Sequence, residues 1–101
     1  MRALSLAPGV RATAGAASAT TAIPNDSSGS PAKVVSIRVL TASETAVVLP
    51  VQNGGTVTAS NGIPVSKEQP VILAVAGFSH IATIRFAAAD VAVNITPVEN
   101  Y

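Results

Sequence analysis

Between Pro70 and Pro97 the chain alternates β-branched residues with smaller ones at a period of two. Three segments carry this pattern, Val71–Gly77, His80–Phe86 and Val91–Thr96, and short breaks separate them. Successive side chains of a strand point to opposite faces of a sheet, so the spacing predicts three consecutive strands. None of the segments is long enough to form a helix by itself. We expect the rest of the chain to pair with this set or to extend from it.

Two more alternating segments lie upstream, at Lys33–Leu40 and Thr45–Val51. Pro50 should place the second of these at a sheet edge or a bulge, because proline cannot donate a hydrogen bond to a ladder. Gln52–Gly55 contains Asn-Gly between alternating segments, which predicts a hairpin turn. We expect Thr56–Ser60 to be a polar, exposed strand that pairs back after this turn.

About six or seven short strands, with turns roughly every 8–12 residues, predict an all-β fold. The expected architecture is a small antiparallel β-sandwich or jelly-roll-like domain with an extended N-terminal arm. The domain should occupy residues 33–101, with Ile63–Val65 as a short edge piece because it contains a proline. The apolar face of each segment supplies the expected core, which comprises Val35, Ile37, Val39, Val47, Leu49, Val71, Leu73, Val75, Ala82, Ile84, Phe86, Val91, Val93 and Ile95.

Residues 1–32 have a different composition from the rest of the chain. They contain nine alanines and one valine, whereas 13 of the 14 valines lie from Val34 onward. Such small residues lack the bulk to form a core, so this region is predicted to be an extended Ala/Ser/Thr-rich arm and hinge. We expect it to be disordered alone and expect removal of residues 1–24 to leave the fold intact. Its well-spaced larger apolar residues are the candidate partner-anchoring residues: Leu4, Leu6, Val10 and Ile23.

The side chains that most often perform chemistry are sparse. The chain has one histidine, His80, no cysteine, and five acidic residues that sit in predicted turns or tails. Neighbours on a strand point to opposite faces, so Ser79 should not reach His80. Asp90 could orient the ring only if the intervening turn brings it back. We therefore expect no catalytic residue, no cofactor site and no metal site, and a chain that is not an enzyme.

Charge and hydropathy also limit the partners. Charged residues make up 11% of the chain, the net charge is +1, and the arginines and lysines never run together. This pattern gives no footprint for nucleic acid, and no apolar stretch reaches the ~18 residues needed to span a membrane. A weakly charged surface and a core of small residues favour self-association, so we expect a homo-oligomer.

The segments His80-Ile81-Ala82 and Val93-Asn94-Ile95-Thr96-Pro97, after the strand Lys33–Val39, resemble those of small all-β virion proteins of tailed bacteriophages. The resemblance covers most of residues 22–99 and carries no catalytic signature. It implies a capsid decoration, or cement, protein on the surface of the phage head, with the major capsid protein as partner. It also implies a trimer, since decoration commonly sits on local threefold points.

Two other classes of function remain open. One is a different phage structural component, such as a head–tail, tail or fibre-attachment module. The other is a secreted or organellar β binding module with a cleaved leader, because Met1-Arg2 precedes a short apolar run. N-terminal sequencing of the mature protein separates a leader from an arm, since a leader would be lost over the first ~20 residues.

Overall fold

The computed structural model describes residues 9–41, 44–87 and 89–98 of the chain. Every helix or strand element in these residues is a β-strand, so the predicted all-β class is confirmed. The strands are β1 (Val10–Ala14), β2 (Ala19–Ala22), β3 (Val34–Val39), β4 (Thr45–Val51), β5 (Ile63–Ser66), β6 (Val71–Ala74), β7 (His80–Arg85) and β8 (Val91–Pro97).

The strands pair as though one long hairpin had been rolled up. The antiparallel pairs β4–β5, β3–β6, β2–β7 and β1–β8 are nested within one another along the chain. Rolling produces two four-stranded sheets, with strand orders β1-β8-β3-β6 and β2-β7-β4-β5. We refer to them as sheet 1 and sheet 2. This is the double Greek-key order of an eight-stranded jelly roll, and the predicted antiparallel β-sandwich is therefore confirmed.

The main core lies between the two sheets. Sheet 1 contributes side chains from alternate positions of two neighbouring strands, β3 and β8. These are Val35, Ile37 and Val39 of β3, and Val91, Val93 and Ile95 of β8. All six side chains are fully buried. Burying a valine or isoleucine contributes roughly 1.5–3 kcal/mol, so these alternating runs do much to hold the roll together. Sheet 2 closes the core with Ala46, Val48, Val65 and Ile81.

The prediction of a separate N-terminal arm is wrong for residues 9–32. Strand β1 pairs with β8 at the edge of sheet 1, and β2 pairs with β7 at the edge of sheet 2. Ala14 is fully buried in the main core. Alanine serves here because the neighbouring strand provides the bulk, while the added strand provides backbone hydrogen bonds and close packing. The β domain therefore includes β1 and β2 and is not limited to residues 33–101; residues 1–8 lie outside the described part.

The faces of sheet 2 are also reversed relative to part of the prediction. Ala46 and Val48 point into the main core, whereas Val47 and Leu49, expected there, lie on the outer face. Both faces of β4 are apolar, so alternation could not select the inner one. Ala82 and Ile84 of β7 lie on the same outer face. Of the other predicted core residues, Val71 and Leu73 are half-buried, and Phe86 is 61% exposed just beyond the end of β7.

Residues 52–62, which connect β4 to β5, fold over the outer face of sheet 2; we call this segment the flap. Val57 at its centre is buried, and its N–H donates to the Ser18 hydroxyl over 2.9 Å. The prediction that Thr56–Ser60 forms an exposed strand is therefore wrong. A Cβ on Gly62 would lie 2.5 Å from Val47 Cγ1, so only glycine allows the flap to approach this closely.

The edge piece predicted at Ile63–Val65 is present as strand β5. It pairs with β4, in the place where Thr56–Ser60 was expected to pair back. Strand β4 is not an edge strand, because it lies between β5 and β7. Its pairing with β5 ends at Val48, and at Pro50 only β7 is a neighbour. The proline is tolerated because one side of the strand is unpaired at that position.

Candidate interaction surface

The outer face of sheet 1 carries a row of three polar side chains across three adjacent strands. Arg11 of β1 is opposite Asn94 of β8, and Asn94 is opposite Arg38 of β3. Their neighbours along each strand point into the core, so these three face away from it. Strands in a sheet are about 4.8 Å apart, which separates the two arginine Cα atoms by about 10 Å. We call this surface the arginine face.

The three side chains of this row offer hydrogen-bond donors to a partner. Asn94 Oδ1 accepts a short hydrogen bond from the Thr96 hydroxyl, so its oxygen is engaged and the group it can offer a partner is the amide N–H. Among the described residues, neither Arg11 nor Arg38 has a hydrogen-bonding or ion-pair partner. Both guanidinium groups are exposed. The row therefore presents guanidinium, amide N–H and guanidinium in sequence, and each of these groups binds acceptors.

No acidic residue of the described ranges lies on the strands of sheet 1. The four described acids, Asp26, Glu44, Glu68 and Asp90, all sit in connections between strands. Asp90 is already engaged, since Arg85 Nη1 lies 2.9 Å from its Oδ1. Opposite charges from this part of the chain thus do not neutralise the arginine face, and its potential is positive.

The outer face of sheet 2 has the opposite character. Val47, Val51 and Ala82 form a second, smaller core there with Val57 of the flap, and Leu49 and Ile84 are half-buried at its border. We call this surface the flap face. The chain covers most of this apolar area itself, which removes it from contact with a partner. A depression of about 120 Å³ at its β5 edge is lined by Thr45, Pro64, Val65, Ser66 and Gln69.

The predicted anchors divide into two groups. Val10 packs against the main core from β1, and Ile23 is buried within that core. Both therefore stabilise this chain's own fold rather than projecting toward a partner. Leu4 and Leu6 lie outside the described residues. The sequence prediction missed Arg11 and Arg38 as neighbours, because they are 27 positions apart in the chain and only the β8 register brings them together.

The histidine makes a contact that the sequence argument excluded. Ser79 Oγ and His80 Nδ1 are 2.7 Å apart. Ser79 precedes β7 and is not part of the strand, so the rule that neighbours face opposite ways does not apply to it. Asp90 is not the third member of a triad, because it pairs with Arg85 at the far end of β7. The described residues contain no cluster of three or more histidine and acidic side chains that could hold a metal ion.

The connection between β2 and β3 contains a turn built around Asp26. Asp26 Oδ1 accepts hydrogen bonds from the Ser28 hydroxyl at 2.6 Å, the Ser28 N–H at 3.0 Å and the Ser30 N–H at 3.2 Å. The Ser28 hydroxyl bond is the largest cause that lowers the pKa of this carboxyl below its ordinary value of 3.8. The Asp26 carboxylate therefore organises a turn at the end of the sandwich.

The fold and its surfaces define a small jelly-roll module with one positive sheet face and one face covered by its own flap. Comparison of the chain with family models, with curated proteins and with solved structures found no match. Within the described ranges, no helix is long and apolar enough to cross a membrane.

Proposed function

We propose that the protein is a non-enzymatic virion structural protein, a capsid decoration (cement) protein that binds the major capsid protein and stabilises the phage head. The observation that carries the proposal is the arginine face. It is a sheet surface on which Arg11 and Arg38 are exposed and unpaired among the described residues, with exposed Ile72 of β6 on the same face, and it suits contact with another broad surface better than enclosure of a small molecule. The resemblance of His80-Ile81-Ala82 and Val93–Pro97 to small phage virion proteins supports the choice of partner.

The shape of the molecule agrees with this role. Its principal dimensions are 37 × 29 × 19 Å, so it is a slab whose two broad surfaces are the sheet faces. Eight-stranded jelly rolls serve many unrelated functions, and the fold by itself does not choose among them. The proposal therefore rests on the surface and on the resemblance.

Interface size favours action by several copies. The four strands of sheet 1, with four to seven residues each, cover about 350 Å² at the usual strand spacing and rise per residue. A standard protein interface takes about 800 Å² from each partner. One arginine face thus supplies about half the usual area, and a homo-oligomer, proposed as a trimer, would multiply it through avidity. Exposed Leu40 and Phe86, at the end of the sandwich where β3 and β7 finish, are the proposed contacts between copies.

Phage heads assembled without this chain provide the decisive experiment. We expect such heads to rupture at a lower temperature than complete heads, and purified protein added back to restore the difference. Electron cryo-microscopy of the restored heads should show density at regular positions on the head surface. Heads of unchanged thermal stability that take up no added protein would contradict the proposal, and density confined to the neck or tail would assign it to another structural role.

Two simpler measurements address the remaining parts of the proposal. Equilibrium sedimentation at micromolar concentration should give a trimer, and Phe86→Ser should shift it toward smaller species. Wild-type protein that sediments as a monomer and also binds the head as single copies would contradict the proposed trimer. The non-enzymatic role would be wrong if the wild-type protein catalysed a measurable reaction and a folded His80→Ala variant did not.

A further inference from the structure

We infer that the arginine face is the docking surface of this protein and that its row Arg11, Asn94 and Arg38 binds side-chain carboxylates of an acidic protein surface. The identity of that surface as the capsid protein rests on the proposed function. The chemistry of the row rests on the contacts described above.

The first step is the match of chemical groups. An exposed guanidinium offers a planar fork of N–H donors that fits the two oxygens of a carboxylate. The amide N–H group of Asn94 adds a neutral donor between the two cations, because the amide oxygen is engaged by Thr96. A partner that satisfies the whole row must therefore present acceptors at all three positions, with negative charge at the outer two.

The second step is spacing. Arg11 and Arg38 lie on strands that both pair with β8, and this ladder fixes their backbones about 10 Å apart. Two carboxylates on alternate strands of a partner sheet, or three residues apart along a polyproline II segment with its three residues per turn, have about the same separation. A backbone carbonyl between them would accept from Asn94. The rigid sheet pre-organises these donors, which lowers the entropy lost on binding.

The third step distinguishes carboxylates from nucleic acid. Proteins that track a phosphate backbone neutralise many charges at once, whereas this face carries two arginines and no lysine. Lys33 and Lys67 lie outside the strands, in connections before β3 and after β5. Two fixed cations that flank a neutral amide fit a small acidic patch on a protein, and we commit to that partner.

The flap face offers no comparable site. Its apolar side chains are largely covered by Val57 and the rest of the flap. Arg85 is the one arginine, lysine or acidic residue on the strands of sheet 2, and its guanidinium is already paired with Asp90. The arginine face is thus the broad surface left for a charged partner.

A titration followed by nuclear magnetic resonance tests the chemistry without the phage particle. Isotope-labelled protein is titrated with a hexaglutamate peptide and, separately, with a 12-base-pair DNA duplex. The peptide should shift the side-chain N–H signals of Arg11, Arg38 and Asn94, and 0.5 M salt should reverse the shifts. Shifts located elsewhere would overturn the inference. A DNA response of the row at lower concentration than the peptide response would overturn it in favour of nucleic acid.

Binding to phage heads that lack the chain tests the surface in its proposed setting. The double variant Arg11→Gln/Arg38→Gln removes two charge-assisted contacts and should weaken binding by about 100-fold or more. The matched control Lys33→Gln/Lys67→Gln removes the same charge from outside the face and should stay within about twofold of wild type. Equal binding by both double variants would overturn the inference while the proposed function stands.

A third variant separates a loss of binding from a loss of folding. Asn94→Asp keeps the size of the side chain but places a carboxylate between the arginines, where it would occupy them and repel an acidic partner. It should weaken binding to heads while its melting curve stays close to wild type, and unchanged binding by this folded variant would overturn the inference. If wild-type protein failed to bind heads at all, the proposed function would fail, and the peptide titration would still decide the chemistry of the row.

Discussion

The two outer faces of the sandwich are built from strands of similar length, yet they present opposite surfaces. On sheet 1, β3 directs Ser36 and Arg38 outward, and the face stays open to solvent. On sheet 2, β4 directs Val47 and Leu49 outward, and the flap covers them. The chain therefore covers the outer face of sheet 2 with its own flap, and the outer face of sheet 1 is available to a partner.

The difference can be traced to the strands themselves. In β3 apolar residues alternate with Ser36 and Arg38, whereas β4 contains the uninterrupted run Ala46–Leu49. A strand that is apolar on both faces is stable only when both are covered. The flap provides the second cover and turns two layers into three over part of sheet 2. A continuous apolar run therefore predicts an additional layer, and regular alternation predicts a surface that solvent or a polar partner can contact.

The largest expected effect comes from removing one edge strand from each sheet. Deletion of residues 1–24 eliminates β1, which carries Arg11, and β2, which follows the flap anchor Ser18. Strands β8 and β7 would each lose an edge partner, and the main core would lose Ala14 and Ile23. We expect no cooperative thermal transition by circular dichroism. A truncated protein with a wild-type melting curve would restore the view of this region as a separate arm.

A carboxylate introduced at matched positions compares the faces directly. Val47→Asp places a charge in the covered second core without a partner, which should cost about 3–5 kcal/mol of unfolding free energy. Ser36→Asp places the same group on the open face near Arg38 and should change stability by less than about 0.5 kcal/mol. Urea denaturation measures both. Similar losses for the two variants would show that the faces are not different in burial.

Loss of flap contacts should have an intermediate effect. Val57→Ala removes two methyl groups from the second core and should cost about 1–3 kcal/mol. Ser18→Ala removes the acceptor for the Val57 N–H and should cost about 1 kcal/mol. For a domain of about this size, each kcal/mol lowers the melting temperature by roughly 4–8 °C. Unchanged melting of both variants would mean that the flap does not cover sheet 2 in solution.

The smallest predicted change is a gain in stability on the inner side of sheet 2. Thr83 is buried, and its hydroxyl has no hydrogen-bonding partner among the described residues. Thr83→Val keeps the shape and removes the unpaired polar group, so we expect roughly 1 kcal/mol of stabilisation. A loss of stability in urea denaturation would instead show that the hydroxyl finds a partner, such as a buried water. Ala82→Ser, on the opposite face of the same strand, serves as a destabilising control.

Sequence reasoning succeeded where the pattern was local. Alternation at Val35–Val39 and Val91–Ile95 identified both strands and their inner faces correctly. It failed for β1 and β2, because Ala12 and Ala14 carry little hydrophobic signal and their strands are stabilised by pairing with distant strands. It failed at Val57 because burial there depends on a flap that packs on a remote sheet face.

The candidate surface was harder to predict than the fold. Alternation in β3 is enough to place Arg38 on an outer face, but β1, which carries Arg11, was not predicted as a strand. Their proximity depends on the β8 register, which follows from non-local pairing that a single sequence does not reveal. The anchors Val10 and Ile23 were chosen for their apolarity, but that same property draws them into the protein's own core.

The pairing of β1 with β8 also determines when the molecule can become complete. Val10 is paired with Ile95, so the outermost ladder joins residues about 85 positions apart. Such non-local contacts are slow to form, because the cost of closing a long loop comes before the stabilisation they provide. During synthesis, the edge of sheet 1 must wait until β8 has been made, and β1 remains unpaired until then. The arginine face is thus assembled among the last parts of the fold, so a partially made chain lacks a finished binding surface.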